Sequence, residues 1–165
     1  MNNEIKREKY EKSIKRLRIS VLVVTLLSAA DIVLCAAMPL TGLPFTAYTP
    51  HLLMSLSYDM KDEATGAVNF IAGIIMASIV VLAYLILFFM MRKKQRRTIS
   101  ALIFFTIDTI ATIYGTFFLF KKGLFSPFIF DLSFHVFMMY MAINGTIAFF
   151  RLKRLNKAEE AKDNG

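Results

Sequence analysis

The chain is poor in the residues from which most enzyme active sites and metal centres are built. It has 165 residues, with one cysteine (Cys35), two histidines and no tryptophan. A single cysteine excludes an intrachain disulfide and a metal site built on cysteines. The sequence also lacks a His-Glu-x-x-His pair, a nucleophile elbow and a glycine-rich phosphate loop. We therefore predict no catalytic residues, no cofactor and no metal ligands.

Long apolar runs are what the chain has instead. Hydrophobic residues make up 56% of the sequence, more than in an ordinary soluble domain. A helix needs about 20 mostly apolar residues to cross a bilayer, and lipid-exposed backbone must be helical to satisfy its hydrogen bonds. Four segments qualify, so we predict an all-α integral membrane four-helix bundle that forms a single membrane domain over residues 1–165. The predicted spans are 19–38, 69–91, 98–120 and 127–150.

The first run also has to be weighed as a cleaved signal peptide. The segment before it is long, Asp31 interrupts its apolar core, and no convincing small-x-small cleavage site follows. We expect an uncleaved first span. At the other end, Ser126 and Pro127 are suited to the N-cap and first position of the fourth span.

Basic residues are distributed unevenly between the two sides of the predicted membrane domain. Seventeen of the twenty Lys and Arg residues lie in the tails 1–18 and 151–165 or in the link between spans two and three. The positive-inside rule then places both termini in the cytoplasm. This distribution accounts for the net charge of +8 without nucleic acid, and it favours anionic lipid headgroups as a partner. The basic N-terminal tail either lies on the membrane as a helix or extends the first span.

One sizeable loop, residues 39–68, is predicted on the outer side. Thr49 and Pro50 indicate the start of a short helix, which we expect to lie at the membrane interface. A re-entrant or pore-capping segment is the alternative. His51 lies at the start of this helix, and we expect it to be solvated or interfacial rather than a ligand.

Four ionisable residues lie within the predicted spans: Asp31, Asp108, Asp131 and His135. Such groups are costly in lipid and are functional candidates for that reason. At ~1.5 Å of rise per residue, three of them, on three different spans, fall within about one helical turn of the same depth; Asp131 lies nearer the outer surface. We predict a proton- or solute-binding cluster of Asp31, Asp108 and His135. Asp131 is a further member, but its position near the outer surface and the start of its helix would also stabilise an acid there without a functional role. Ser28 and Thr112 are predicted as supporting polar residues.

Two functional hypotheses follow. In the first, a small polytopic membrane protein binds a proton or cationic solute at the Asp/His cluster and transports or senses it. In the second, a non-transporting accessory or regulatory subunit uses its buried polar groups to fix helix packing or partner contacts. Because four spans enclose little volume, we expect a homo-oligomer or a larger membrane partner. The cytoplasmic (plasma) membrane is the expected location.

Overall fold

The computed structural model describes residues 3–38, 43, 45–59, 66–93, 97–121 and 128–163. Within these ranges the chain is all-helical and has no strand. The five helices are α1 (Asn3–Ala37), α2 (Tyr48–Asp59), α3 (Gly66–Lys93), α4 (Thr98–Lys121) and α5 (Phe128–Asp163). The predicted helix cap at Ser126 and Pro127 lies outside the described residues, as does the first proline of the outer loop, Pro39.

Four of these helices are long and apolar enough to cross a membrane: α1, α3, α4 and α5. Their apolar windows are only 22% to 39% buried inside the protein. Most of the apolar surface of each helix therefore has no partner in the chain, as expected where lipid covers it. The prediction of an all-helical chain with four helices long and apolar enough to span a membrane is confirmed. Each predicted span coincides with one long helix.

The two ends of the chain form one helical pair. The basic N-terminal residues continue α1 without a break, and Ile14 packs with Ala148 and Leu152 of α5. Arg7 bonds to Glu159 farther along the same pair. The N-terminal tail thus extends the first span, which was one of the two arrangements expected from its sequence.

The short helix α2 is present where Thr49 and Pro50 indicated a helix start, but its first turn does not lie on the outside of the bundle. Tyr48 and Pro50 are buried, together with Thr46 and Ala47 just before the helix. α2 contacts α1, α3 and α4. The start of α2 is therefore packed among these helices rather than exposed on their surface.

Two small residues let α2 approach its neighbours. A Cβ atom on Gly73 of α3 would lie 2.0 Å from the Ser57 hydroxyl, and one on Gly115 of α4 would lie 1.8 Å from the Tyr48 hydroxyl. Neither position therefore has room for a side chain while α2 keeps this position. The helix is held against the bundle by close contact as well as by hydrogen bonds.

Candidate functional site

The candidate site is organised around the chain that enters α2. Leu43 and residues 45–51, here called the inserted segment, run among α1, α4 and α5. Backbone N–H groups of irregular chain need acceptors when they leave water. Side-chain oxygens of those three helices act as the acceptors. Most of these oxygens belong to the aspartates that lie within the predicted spans.

Asp108 of α4 caps the N-terminus of α2 from outside the helix. Its carboxylate accepts the Tyr48 N–H at 3.1 Å, the Thr49 N–H at 2.9 Å and the Thr49 hydroxyl at 2.7 Å. The first N–H groups of a helix lack intrahelical partners, and the helix dipole favours a negative charge there. Asp108 therefore performs the role of an N-cap although it lies 59 residues from Thr49.

Asp108 also bonds to His135. His135 Nε2 lies 2.8 Å from Asp108 Oδ2, and the two side chains are 3% and 2% exposed. The other ring nitrogen, Nδ1, lies 2.7 Å from the Asp131 carbonyl oxygen. A carbonyl oxygen only accepts, so Nδ1 carries a proton, and one further proton must lie between Nε2 and the carboxylate. Because Asp108 already accepts two backbone N–H groups, an ionised carboxylate beside a protonated imidazole fits this arrangement.

Other ionisable groups surround the Asp108–His135 pair. Tyr84 of α3 is buried close enough to interact electrostatically with Asp108. Tyr48 lies on the α2 side, where burial raises the pKa of its phenol and the nearby charge of Asp131 raises it further. The Tyr48 phenol is therefore neutral at physiological pH.

Asp31 of α1 belongs to a second Asp–His pair. One carboxylate oxygen accepts the Leu43 N–H at 2.6 Å, and the other lies 3.1 Å from His51 Nδ1. The Cys35 sulfur, one turn along α1, lies 3.8 Å from the same ring nitrogen. Asp31 and Cys35 are buried, whereas His51 is partly exposed.

Asp131 and Ser28 hold the middle of the inserted segment. The Asp131 carboxylate accepts the Phe45 N–H at 3.1 Å, and the Ser28 hydroxyl oxygen accepts the Ala47 N–H at 2.8 Å. Phe45 has a φ of 67°, a left-handed conformation that is strained for a bulky residue. Its ring packs edge-on against Phe134, with the ring centroids 5.3 Å apart.

The structure divides the predicted cluster into two Asp–His pairs. Asp108 and His135 are in direct contact, but Asp31 bonds to a different histidine, and both pairs meet the inserted segment. Thr112, expected to support the cluster, instead donates to the Asp108 backbone carbonyl within α4 at 2.8 Å. Sequence reasoning missed His51 and the backbone amides as partners. One signal was available in the sequence. Asp31 and Cys35 lie near the end of the first span, the proline-rich loop follows, and His51 lies in the first turn of the helix after that loop.

Comparisons with protein-family models, curated proteins and solved structures found no match to this chain.

Proposed function

We propose that the protein is a small polytopic membrane protein that binds a proton at the Asp108–His135 pair and transports or senses it. The observation that supports this most directly is the 2.8 Å contact between two almost fully buried ionisable side chains. Ionisable groups in membrane segments mark proton relays and ion pathways more often than groups at the surface do.

A proton fits this pair better than a larger cation does. The Asp108 carboxylate has about four lone-pair directions, and four donor contacts from the chain already use them. A metal ion or organic cation would have to displace several of them. A proton on the imidazole, in contrast, neutralises the charge of the carboxylate without displacing anything.

Loss of that proton provides a coupling to conformation. Without it, the Nε2 lone pair would face the carboxylate at hydrogen-bond distance, and the buried pair would carry an uncompensated negative charge. The same carboxylate holds the first turn of α2. Protonation of the pair and docking of the inserted segment are therefore linked in this proposal.

Orientation follows from charge. We infer that both termini are cytoplasmic, since seventeen of the twenty basic residues cluster at one side of the four spans. The inserted segment then lies at the outer face of the cytoplasmic membrane, and the proton site opens toward that side when the segment undocks. Transport would need a homo-oligomer or a larger partner to complete a pathway.

Proton flux into liposomes tests the transport form of the proposal. Purified protein is reconstituted with a pH-sensitive dye inside, and a pH gradient and a membrane potential are applied. We expect dye-reported proton movement in the wild type, its loss in Asp108→Asn and His135→Gln, and normal movement in Tyr114→Phe, a control on the lipid-facing side of α4. For sensing without flux, the exchange protection of the inserted segment, corrected for the intrinsic pH dependence of amide exchange, would change with pH in the wild type and not in His135→Gln. Proton binding as the function is refuted if a folded wild type shows no flux and no pH dependence of this corrected protection.

The alternative is an accessory or regulatory subunit whose buried acids serve packing alone. Four bonds from Tyr48, Thr49 and His135 already fill the acceptor positions of the Asp108 carboxylate, an arrangement that also suits a permanent structural lock. That function would give stable co-purification with a larger membrane protein, and no flux in its absence. Folding would then respond to Asp108→Asn while no proton-dependent property changed.

The lipid partner is proposed from a cavity at the other end of the bundle. A cavity of about 340 Å³ lies between α1 and α5 and is lined by Lys9, Arg16 and Arg151, with Ser13 and Asn144 as further polar groups. Three cations around a cavity of this size suit the phosphate of an anionic lipid headgroup, whose chains would follow the apolar surface of the helices.

A further inference from the structure

The second Asp–His pair differs from the first in having a thiol beside it. One carboxylate oxygen of Asp31, the Cys35 sulfur and a ring nitrogen of His51 all lie within 4.8 Å of one another. Among the residues that the structure describes, this is the one group of three such side chains close enough to share an ion. Its donors differ in kind, with one oxygen, one sulfur and one nitrogen.

The spacing of these atoms matches a tetrahedral zinc site. Metal–ligand bonds of about 2.0 to 2.3 Å at tetrahedral angles place the ligand atoms roughly 3.3 to 3.8 Å apart. The nitrogen–oxygen separation is 3.1 Å, the nitrogen–sulfur separation is 3.8 Å, and the oxygen and the sulfur lie within 4.8 Å of each other. An ion would therefore fit after side-chain adjustments that bring all three atoms to tetrahedral spacing.

The surroundings also suit a metal. Asp31 and Cys35 lie at i and i+4 on α1, so one face of a rigid helix presents both ligands. The Leu43 N–H binds the second carboxylate oxygen of Asp31 at 2.6 Å and orients the first, as groups behind metal ligands commonly do. His51 is 28% exposed, which leaves an entry route and room for a water as the fourth ligand.

We propose that Asp31, Cys35 and His51 bind a borderline-soft divalent metal ion, with Zn²⁺ as the best fit, at the outer end of the bundle. Thiolate and imidazole together favour zinc over magnesium or calcium, which prefer oxygen ligands only. On binding, Cys35 releases its thiol proton to solvent, and the proton on His51 Nδ1 leaves that nitrogen, for Nε2 or for solvent, so that its lone pair can bind the ion. The ion would tie the first turn of α2 to α1 and so hold the inserted segment in place. This site uses other side chains than the Asp108–His135 pair, although both sites hold the inserted segment, and metal titration of the unaltered protein tests it separately from proton binding.

Cobalt provides a direct optical test, because it occupies zinc sites and reports its ligands. The full chain in lipid nanodiscs is titrated with Co²⁺. We expect tetrahedral d–d bands together with a thiolate-to-cobalt charge-transfer band, and their loss when Zn²⁺ is added. Cys35→Ser should abolish the charge-transfer band, while Asp31→Asn and His51→Gln should each weaken binding by more than about tenfold.

The matched control is Glu160→Gln, which removes an exposed carboxylate near the C-terminal end of α5 and should leave the cobalt spectrum unchanged. A second measurement uses the unaltered protein, so that it does not depend on whether any variant folds: Zn²⁺ should slow the reaction of Cys35 with a maleimide. The proposal is overturned if folded wild-type protein gives no charge-transfer band at millimolar cobalt and no zinc protection. It is equally overturned if Asp31→Asn and His51→Gln bind cobalt as the wild type does.

Discussion

Replacing Asp108 by asparagine is the sharpest test of how the site is held together. The substitution keeps the size of the side chain but replaces one carboxylate oxygen by an NH₂ group. Each Asp108 oxygen accepts at least two donors: Tyr48 and His135 on one, and the Thr49 amide and hydroxyl on the other. Whichever way the amide turns, an N–H group meets another N–H group, and the protonated imidazole loses its counter-charge.

The cost can be estimated from its parts. Loss of a helix N-cap costs about 0.5 to 2 kcal/mol, and removing one partner of a buried ion pair costs about 3 to 5 kcal/mol. These terms overlap because they share one carboxylate, so we expect a total loss of roughly 3 to 5 kcal/mol in the free energy of unfolding. Since the lost bonds join the inserted segment to α4, undocking of that segment should account for most of the loss.

Hydrogen exchange measured by mass spectrometry in nanodiscs resolves the effect by segment. Peptides that contain Tyr48 and Thr49 should exchange much faster in Asp108→Asn, while peptides from the middle of α3 should change little. Asp131→Asn is the matched control. It replaces the charged acceptor of a single exposed amide, that of Phe45, by a neutral oxygen that can still accept the bond, so it should cost only about 1 kcal/mol or less. Equal exchange rates in Asp108→Asn and wild type would refute the assignment of Asp108 as the cap of α2.

The remaining predictions concern packing and lipid. Gly115→Ala places a methyl group 1.8 Å from the Tyr48 hydroxyl and should destabilise docking of α2 by about 1 to 3 kcal/mol, measured as faster proteolysis in the outer loop. Gly145→Ala is its control, because its added methyl group meets Leu17 of α1, with the Leu17 side-chain tip at 2.6 Å and its Cβ at 3.0 Å, and does not meet α2. Equal effects on proteolysis of the outer loop would contradict the proposed packing. Arg16→Glu, in the basic cavity, should lower the preference for anionic over zwitterionic lipid in native mass spectrometry, and an unchanged preference would count against the lipid site.

The helices were predictable from the sequence because hydropathy and length decide whether a segment spans a membrane. Depth was also accessible, since each residue adds a fixed rise along its helix. Asp108 and His135 were placed at one level by that argument, and they are in contact in the structure. The rotation of each helix about its axis is set by packing, so the same argument could not tell which histidine Asp31 faces.

The path of the inserted segment could not be predicted from the periodicity of residue types in the sequence. Its bonds are made by backbone N–H groups, which every residue except proline carries, so no pattern of residue types marks them. Phe45 is a further example, because its positive φ would ordinarily predict glycine or asparagine at that position. The contact of His51 with Asp31 is a consequence of this path and could not be predicted before the path was known.

Two desolvation penalties are relieved by the same hydrogen bonds at this site, and this explains why acids lie in an apolar bundle. Carboxylates inside a membrane are expensive because they lose water, and irregular backbone there is expensive because its N–H groups lose water too. Asp31, Asp108 and Asp131 each accept at least one N–H from the inserted segment, so one set of bonds relieves both penalties. A strained residue such as Phe45 persists only where its surroundings fix it. Each acid therefore holds the segment in place, and neutralising any one of them should loosen the segment nearest to it.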